Sequence, residues 1–201
     1  MPGLIWWFTF LESWSNPLPL SFYEAGAVSV ARSLLGCTLC HTTPAGRLSG
    51  VITETEAYLS DDPASHSYRG PTARNSAMFG PAGHAYFYRS YGLHTCLNVV
   101  TGLQGVGEAV LIRSLRPLEG IAQMRKHRGT VPDYMLCNGP GKLCQALSLT
   151  LSLNNHPFTL PPLTIQKGSS HEEISLSILT GPRIGISRAK EVPLRFWLPT
   201  S

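Results

Sequence analysis

The stretch Val51–Gly70, V-I-T-E-T-E-A-Y-L-S-D-D-P-A-S-H-S-Y-R-G, gathers two glutamates, two tyrosines, a histidine and an arginine. Glu54 and Glu56 stand two apart, so on a regular strand they leave the same face, about 6–7 Å from Cα to Cα. That is the scale at which two carboxylates bracket a bond to a sugar. Unpaired carboxylates are not stable against an apolar core, so their face meets a cleft, a partner or water. From these residues alone a solvated sheet edge accounts for the pair slightly better. A second candidate is Arg113, which shares a face with Ala109 and Leu111 in the apolar run Glu108–Leu115 and so needs an anionic partner.

The elements that must carry these groups follow from pattern. Val28, Ala31, Leu34 and Leu35 have helical spacing, which predicts a helix over Ala27–Leu35 closed by Gly36. Cys37–His41 and Arg47–Ala57 form a hairpin around the Thr43–Gly46 turn, and its second strand delivers both glutamates. Ser60–Pro81 is polar and turn-rich. Its Arg69, Arg74 and His66 fit a groove lining, although a solvated loop has the same composition. Its length is unusual for a compact domain. His84–Thr101 is a second hairpin turning at Tyr91-Gly92, with Tyr86 and Tyr88 on one face and Phe87 and Arg89 on the other. Tyr91 sits at the tip, where a ring has little core to enter. A tip tyrosine between arginine-bearing segments suits a wedge into stacked bases.

Pro117–Arg128 reads as a helix with proline near its start and cations near its end. Asn138–Lys142 is a glycine-rich turn before a helical stretch Leu143–Leu149. Its backbone N–H groups, with Lys142, fit a phosphate contact, but it lacks the full Walker pattern. Short strands are expected near Leu163–Gln166, Ile174–Ile178, Ile184–Ile186 and Leu194–Leu198. Hairpins, short strands and a few helices make an α+β class: one mixed domain over residues 17–201, with a curved antiparallel sheet, flanking helices and a protruding hairpin.

Of 201 residues, 43% are hydrophobic and 14% charged, enough for a real core and unlike a disordered chain. A formal charge of +4 is compatible with a polyanionic partner. Five scattered cysteines argue for a reducing compartment rather than a disulfide framework. The apolar opening Met1–Leu11 lacks a basic flank and reads as part of an N-terminal extension, residues 1–16, rather than a signal peptide. No run is long enough to span a bilayer. Cys37-Thr38-Leu39-Cys40-His41 matches C-x-x-C-H, the haem-attachment pattern. Its place in a predicted hairpin strand puts the cysteines on opposite faces, which favours small core residues over haem or zinc ligands.

Several stretches in register carry a family resemblance. They are T-E-T-E-A-Y-L with A-S-H, the segment Arg74–Gly83, Y-F-Y-x-x-Y-G-L-x-x-C-L-N, L-I-R-S-L-x-P-L-E-G, L-C-N-G-P-G-K-L-C-Q-A-L, R-I-G-I and P-L-R-F. Together they resemble the alkyladenine (3-methyladenine) DNA glycosylases over roughly Leu18–Leu198. The resemblance implies a monofunctional glycosylase that flips alkylated or deaminated purines from duplex DNA and hydrolyses the N-glycosidic bond, the first step of base excision repair. It implies no metal and no cofactor. It further implies a monomer whose partner is damaged double-stranded DNA, with no membrane, in the cytoplasm or, in a eukaryote, the nucleus.

By motif, Glu56 matches the catalytic base and Arg113 the arginine beside the attacking water. Tyr58, His66 and Tyr88 match the walls that hold the base. Asn98 matches the pocket floor that disfavours the guanine amino group, and Tyr91 the wedge. Arg69, Arg74, Gly141 and Lys142 are candidate phosphate contacts. Glu54 then becomes a neighbour rather than a second catalyst. Two positions depart from the pattern: His94 replaces a common aromatic, and Gly141 a common small polar residue. The first fifteen or so residues match nothing in the family. A non-catalytic module that binds damaged DNA on the same fold is the alternative reading, and it differs by releasing no base.

Overall fold

The computed structural model describes residues 16–168 and 177–199. Strand β2, Gly46–Tyr58, is the element around which the others are placed. Strand β5, Glu108–Glu119, pairs with one edge of it for nearly its whole length. Two shorter strands share the opposite edge. β1, Thr38–Thr43, pairs with its first half, and β8, Arg195–Trp197, pairs with Glu54–Glu56. The stretch that carries both glutamates is therefore hydrogen-bonded on both sides. Bulges beside Glu54 bend β2 and re-aim its side chains.

β3, Ala85–Ser90, and β4, His94–Thr101, extend the sheet beyond β5, and β6, Leu163–Gln166, closes the far side in the order β3-β4-β5-β2-β1-β6. β7, Leu179–Gly181, pairs with β8. All these pairings are antiparallel. The helices are α1, Leu20–Tyr23; α2, Ala27–Ser33; α3, Ile121–Arg128; and α4, Pro140–Ala146. α2 packs on β2 and β5, and α4 on β4 and β5. This is the expected α+β architecture. No helix among the described residues is long and apolar enough to cross a membrane.

The alternation of side chains along each strand separates core from site. Leu97 and Val99 on β4, Val110 and Ile112 on β5, and Ala85 and Phe87 on β3 enter the main core. Their neighbours Cys96 and Asn98, Leu111 and Arg113, and Tyr86 and Tyr88 line a cavity instead. A smaller cluster of Ala77, Met78, Tyr86, Val100 and Ala109 packs behind that cavity.

Several boundaries depart from the sequence pattern. Pro117 does not open a helix: it lies in β5 opposite Gly50, and α3 begins only at Ile121. The switch is Gly120, at φ 75°, where a Cβ would stand 2.6 Å from the Arg47 carbonyl oxygen and collide with the Leu48 side chain. α4 starts at Pro140 and ends by Ala146, three residues ahead of the expected stretch, because proline suits the first helical position and Ser148 takes φ 55°. Ile184–Ile186 is not a strand; Gly185 at φ 77° breaks the extended run. Ser60–Pro81 is more than a solvated loop, since Asp62, Ser65, Ser67, Asn75, Ala77 and Met78 are buried and Ser76–Phe79 forms a 3-10 turn. The strand expected at Ile174–Ile178 falls mostly outside the described residues, as does most of the N-terminal extension.

Candidate active site

Glu56 lies in the middle of β2 and is fully buried, yet its carboxylate is held entirely by polar groups. Oε1 accepts the backbone N–H of Ile184 at 2.8 Å and stands 3.2 Å from Arg113 Nη1. Oε2 accepts the Tyr58 hydroxyl at 2.9 Å. Arg113, delivered by β5, also donates from Nε to Glu54 Oε1 at 3.1 Å. Glu54 in turn accepts from Arg195 Nη1 at 3.0 Å. Arg113 thus has the anionic partner its apolar strand demanded, twice over, and the two glutamates are bridged by one guanidinium. Glu54 shares its charge between two arginines, whereas Glu56 is held by Arg113, the Ile184 N–H and the Tyr58 hydroxyl.

The cavity has a volume of about 520 Å³ and is lined by Tyr58, His66, Tyr86, Tyr88, Asn98 and Arg113, among others. His66 meets Tyr88 edge to face, with ring centroids 4.5 Å apart and planes at 78°. Its Nδ1 is 2.9 Å from the Tyr86 hydroxyl, which fixes the ring at the cavity mouth. Asn98 is buried on the floor, donating Nδ2–H to the Tyr86 carbonyl at 3.0 Å. That bond leaves its Oδ1 as an acceptor for whatever enters. Burial pushes the Tyr86 hydroxyl up to about 12 and lifts those of Tyr58 and Tyr88 far above the usual phenol range. All three are therefore neutral O–H donors at physiological pH. Desolvation, and then the Arg74 cation, lower the His66 pKa, so its ring is neutral as well. The four rings are flat and uncharged, the guanidinium groups of Arg74, Arg89, Arg113 and Arg188 share the lining with them, and Glu56 is bonded to three lining residues, Tyr58, Arg113 and Ile184.

The β3–β4 hairpin brings Tyr91 to the same cavity. The turn closes by the Leu93 N–H to Ser90 carbonyl bond at 3.1 Å, and both central residues take positive φ, 50° at Tyr91 and 71° at Gly92. Tyr91 is 88% exposed and Leu93 78%, so the tip presents two large apolar groups to solvent. A tight two-residue hairpin turn asks for positive φ at both central positions, and an aromatic residue at the first of them costs backbone energy.

The four candidate phosphate contacts are not equivalent. Arg74 lines the cavity mouth and donates to the Arg89 carbonyl at 3.3 Å. Arg69 is exposed on the neighbouring surface. Lys142 in α4 is engaged with Asn138 Oδ1 at 2.9 Å. Gly141 abuts the hairpin: a Cβ there would stand 2.9 Å from His94 Cβ. The two departures from the family pattern therefore touch, and the absent side chain at 141 makes room for the imidazole at 94.

The C-x-x-C-H residues are each occupied separately. Cys37 Sγ contacts the Ser33 carbonyl, Cys40 Sγ accepts from Arg47 Nη2 at 3.0 Å, and His41 Nδ1 bonds the Leu147 carbonyl at 2.7 Å. They serve the core and share no common centre.

A buried carboxylate, aromatic cavity walls and an exposed tyrosine on a hairpin thus lie in one region of the fold. Comparison with known proteins gives it a family. The methylpurine-DNA glycosylase (MPG) family model matches residues 21–201. The chain belongs to the methylpurine-DNA glycosylase family. It is a DNA glycosylase, a hydrolase of N-glycosyl bonds. A relative from Methanoculleus marisnigri is 52% identical over 188 residues, 92% of this chain and 96% of its own, and is assigned as a 3-methyladenine DNA glycosylase. Relatives with the same assignment in Agrobacterium fabrum and Nitrosospira multiformis are 47% and 50% identical, covering 93% and 89% of those proteins.

Several residues that build this candidate site carry no sequence signal of their own. Ile184 acts through its backbone N–H, which any residue but proline supplies. Arg183, Asp62 and Arg195 are recognisable only once the fold brings them to β2.

Proposed function

We propose that this glycosylase extrudes an alkylated or deaminated purine from duplex DNA into the cavity and hydrolyses its bond to deoxyribose with Glu56 as the base. The carrying observation is the hydrogen-bond inventory of Glu56. A carboxylate offers about four lone-pair sites. Arg113 and the Ile184 N–H occupy Oε1 and the Tyr58 hydroxyl takes one site on Oε2, which leaves one site on Oε2 for a water. A base with one lone pair unfilled receives its proton from one direction.

The flipped purine lies against Tyr58 on one side and His66 and Tyr88 on the other. Neutral rings suit a flat heterocycle and offset the loss of stacking, which costs about a few kcal/mol per step. The C1′–N9 bond breaks, the purine departs with the bonding electrons, and positive charge develops on the sugar. The Glu56 carboxylate stabilises that charge. Water then bonds to C1′ and its proton passes to Oε2. Alkylation or deamination makes the purine a better leaving group, so strong protonation by the enzyme is unnecessary. Asn98 on the floor excludes guanine by bulk, its side chain taking the room that the 2-amino group would need.

Tyr91 fills the gap left in the duplex, with Leu93 beside it at the tip. Arg69, Arg74, Lys142 and the Gly141 backbone meet phosphates. The enzyme acts as a monomer without metal. The test is a panel of duplexes, each holding one hypoxanthine, ethenoadenine or 3-methyladenine, treated with the wild-type protein and then alkali. Strand cleavage at the lesion is expected for at least one duplex. Tight binding to abasic-site analogues with no cleavage across the panel would instead mark a binding module.

A further inference from the structure

The Glu56 mechanism uses the Ile184 N–H, and something must hold that N–H in place, because Ile184 lies outside any strand and is half-exposed. We infer that Arg183 and Asp62 form a positioning pair that locks the 182–188 segment onto β2 and so fixes which lone pair of Glu56 remains for water. The inference rests on the reading of Glu56 as the base.

The pair is built for rigidity. The Arg183 side chain has no exposure and that of Asp62 is 4% exposed. The guanidinium forks onto both carboxylate oxygens, with Nη2–H donating to Oδ1 at 3.0 Å and Nη1–H to Oδ2. Nη1 also donates to the Ala57 carbonyl at 3.0 Å, between the two site residues of β2. The guanidinium carbon lies 4.6 Å from the Tyr58 ring centroid, so the same group supports the ring whose hydroxyl holds Oε2. Asp62 Oδ1 accepts the Ala64 N–H at 2.9 Å and thereby shapes the turn that leads to His66. One buried contact therefore ties together β2, the turn toward His66 and the segment carrying Ile184.

A buried ion pair adds little stability over apolar packing of the same volume, because desolvation offsets most of the attraction. Its planar, bidentate geometry fixes orientation in a way that a lysine ammonium does not. If the fork is lost, the Ile184 N–H drifts from Oε1, a second lone pair opens, and water binds where it cannot reach C1′.

Arg183→Lys and Asp62→Asn decide the matter, measured beside wild type and Glu56→Gln in single-turnover release of ethenoadenine and in binding to a duplex with an abasic-site analogue. The expected result is a release rate lowered roughly 10- to 100-fold, the scale of a small misplacement at a reacting group, with analogue binding essentially unchanged. A merely structural role would move rate and binding together through the fraction of folded protein, read from thermal melts. Where Arg183→Lys fails to fold, the Asp62→Asn rate decides by the same criterion. An unchanged rate, a parallel loss of rate and binding, or failure of both variants to fold overturns the proposal. Wild-type release by Glu56→Gln would instead overturn the assignment of the base, which keeps the two failures separate.

Discussion

At the residue scale the site is a matter of which polar atoms surround one carboxylate. Tyr58→Phe keeps the ring and removes the donor to Glu56 Oε2. A hydrogen bond to a charged group contributes about 1.5–3 kcal/mol, so single-turnover release is expected to fall about 10- to 100-fold with little change in lesion binding. A rate within two-fold of wild type would remove Tyr58 from the inventory of Glu56. Much of this was legible beforehand. The strand pattern marks the Glu54–Glu56 pair and the family resemblance picks Glu56 from it, and an arginine in an apolar run, Arg113, announces a carboxylate partner. The grip of the Ile184 N–H on Oε1 was not legible, because a backbone donor has no residue type. Neither was the Arg183–Asp62 pair, whose members stand 121 positions apart.

At the element scale the hairpin and the long strand carry the argument. Tyr91→Ala should weaken lesion binding and base extrusion more than it slows release of a base already extruded. Stopped-flow fluorescence of ethenoadenine separates the two steps, and equal slowing of both would contradict a wedge. The hairpin was readable because alternation and a Tyr-Gly turn give its register directly. The end of β5 was misread because Pro117 looks like a helix start, and only the crowding of Gly120 by the Arg47 carbonyl and Leu48 shows where the chain turns. Gly120→Ala combines a left-handed backbone with that collision and is expected to destabilise the fold by about 2 kcal/mol or more in urea unfolding. A neutral effect would show that the β5–α3 corner can relax.

At the scale of the whole molecule, charge and protonation set the conditions of action. If about four phosphates are neutralised, the logarithm of affinity should fall with the logarithm of salt concentration with a slope of roughly −3.6, and Arg74→Ala should lessen that slope by about 0.9. A salt-independent affinity would argue against the basic rim. Stability should depend on pH mainly through the buried His41 and less through the more exposed His66, whose pKa values both lie below 6.5 chiefly because of desolvation. The unfolded chain binds protons at these rings as pH falls through 6.5, while the folded chain resists them. Stability is therefore full above that value and is lost as pH falls toward the lowered folded values. Thermal melts from pH 8 to 5 check the sign. The α+β class was visible in hairpin spacing, whereas the sharing of one β2 edge by β1 and β8 was not, since β8 follows β1 by some 150 residues. The pairing of β2 with β8 on one edge and β5 on the other is what flanks Glu56 on both sides.

The most direct measurement is single-turnover release of ethenoadenine from a duplex by wild type and by Glu56→Gln, with lesion binding followed in parallel. Loss of the carboxylate proposed to meet the water should abolish release, while the aromatic cavity and the Tyr91 tip keep binding largely intact. Release by Glu56→Gln at the wild-type rate would contradict the account at its centre.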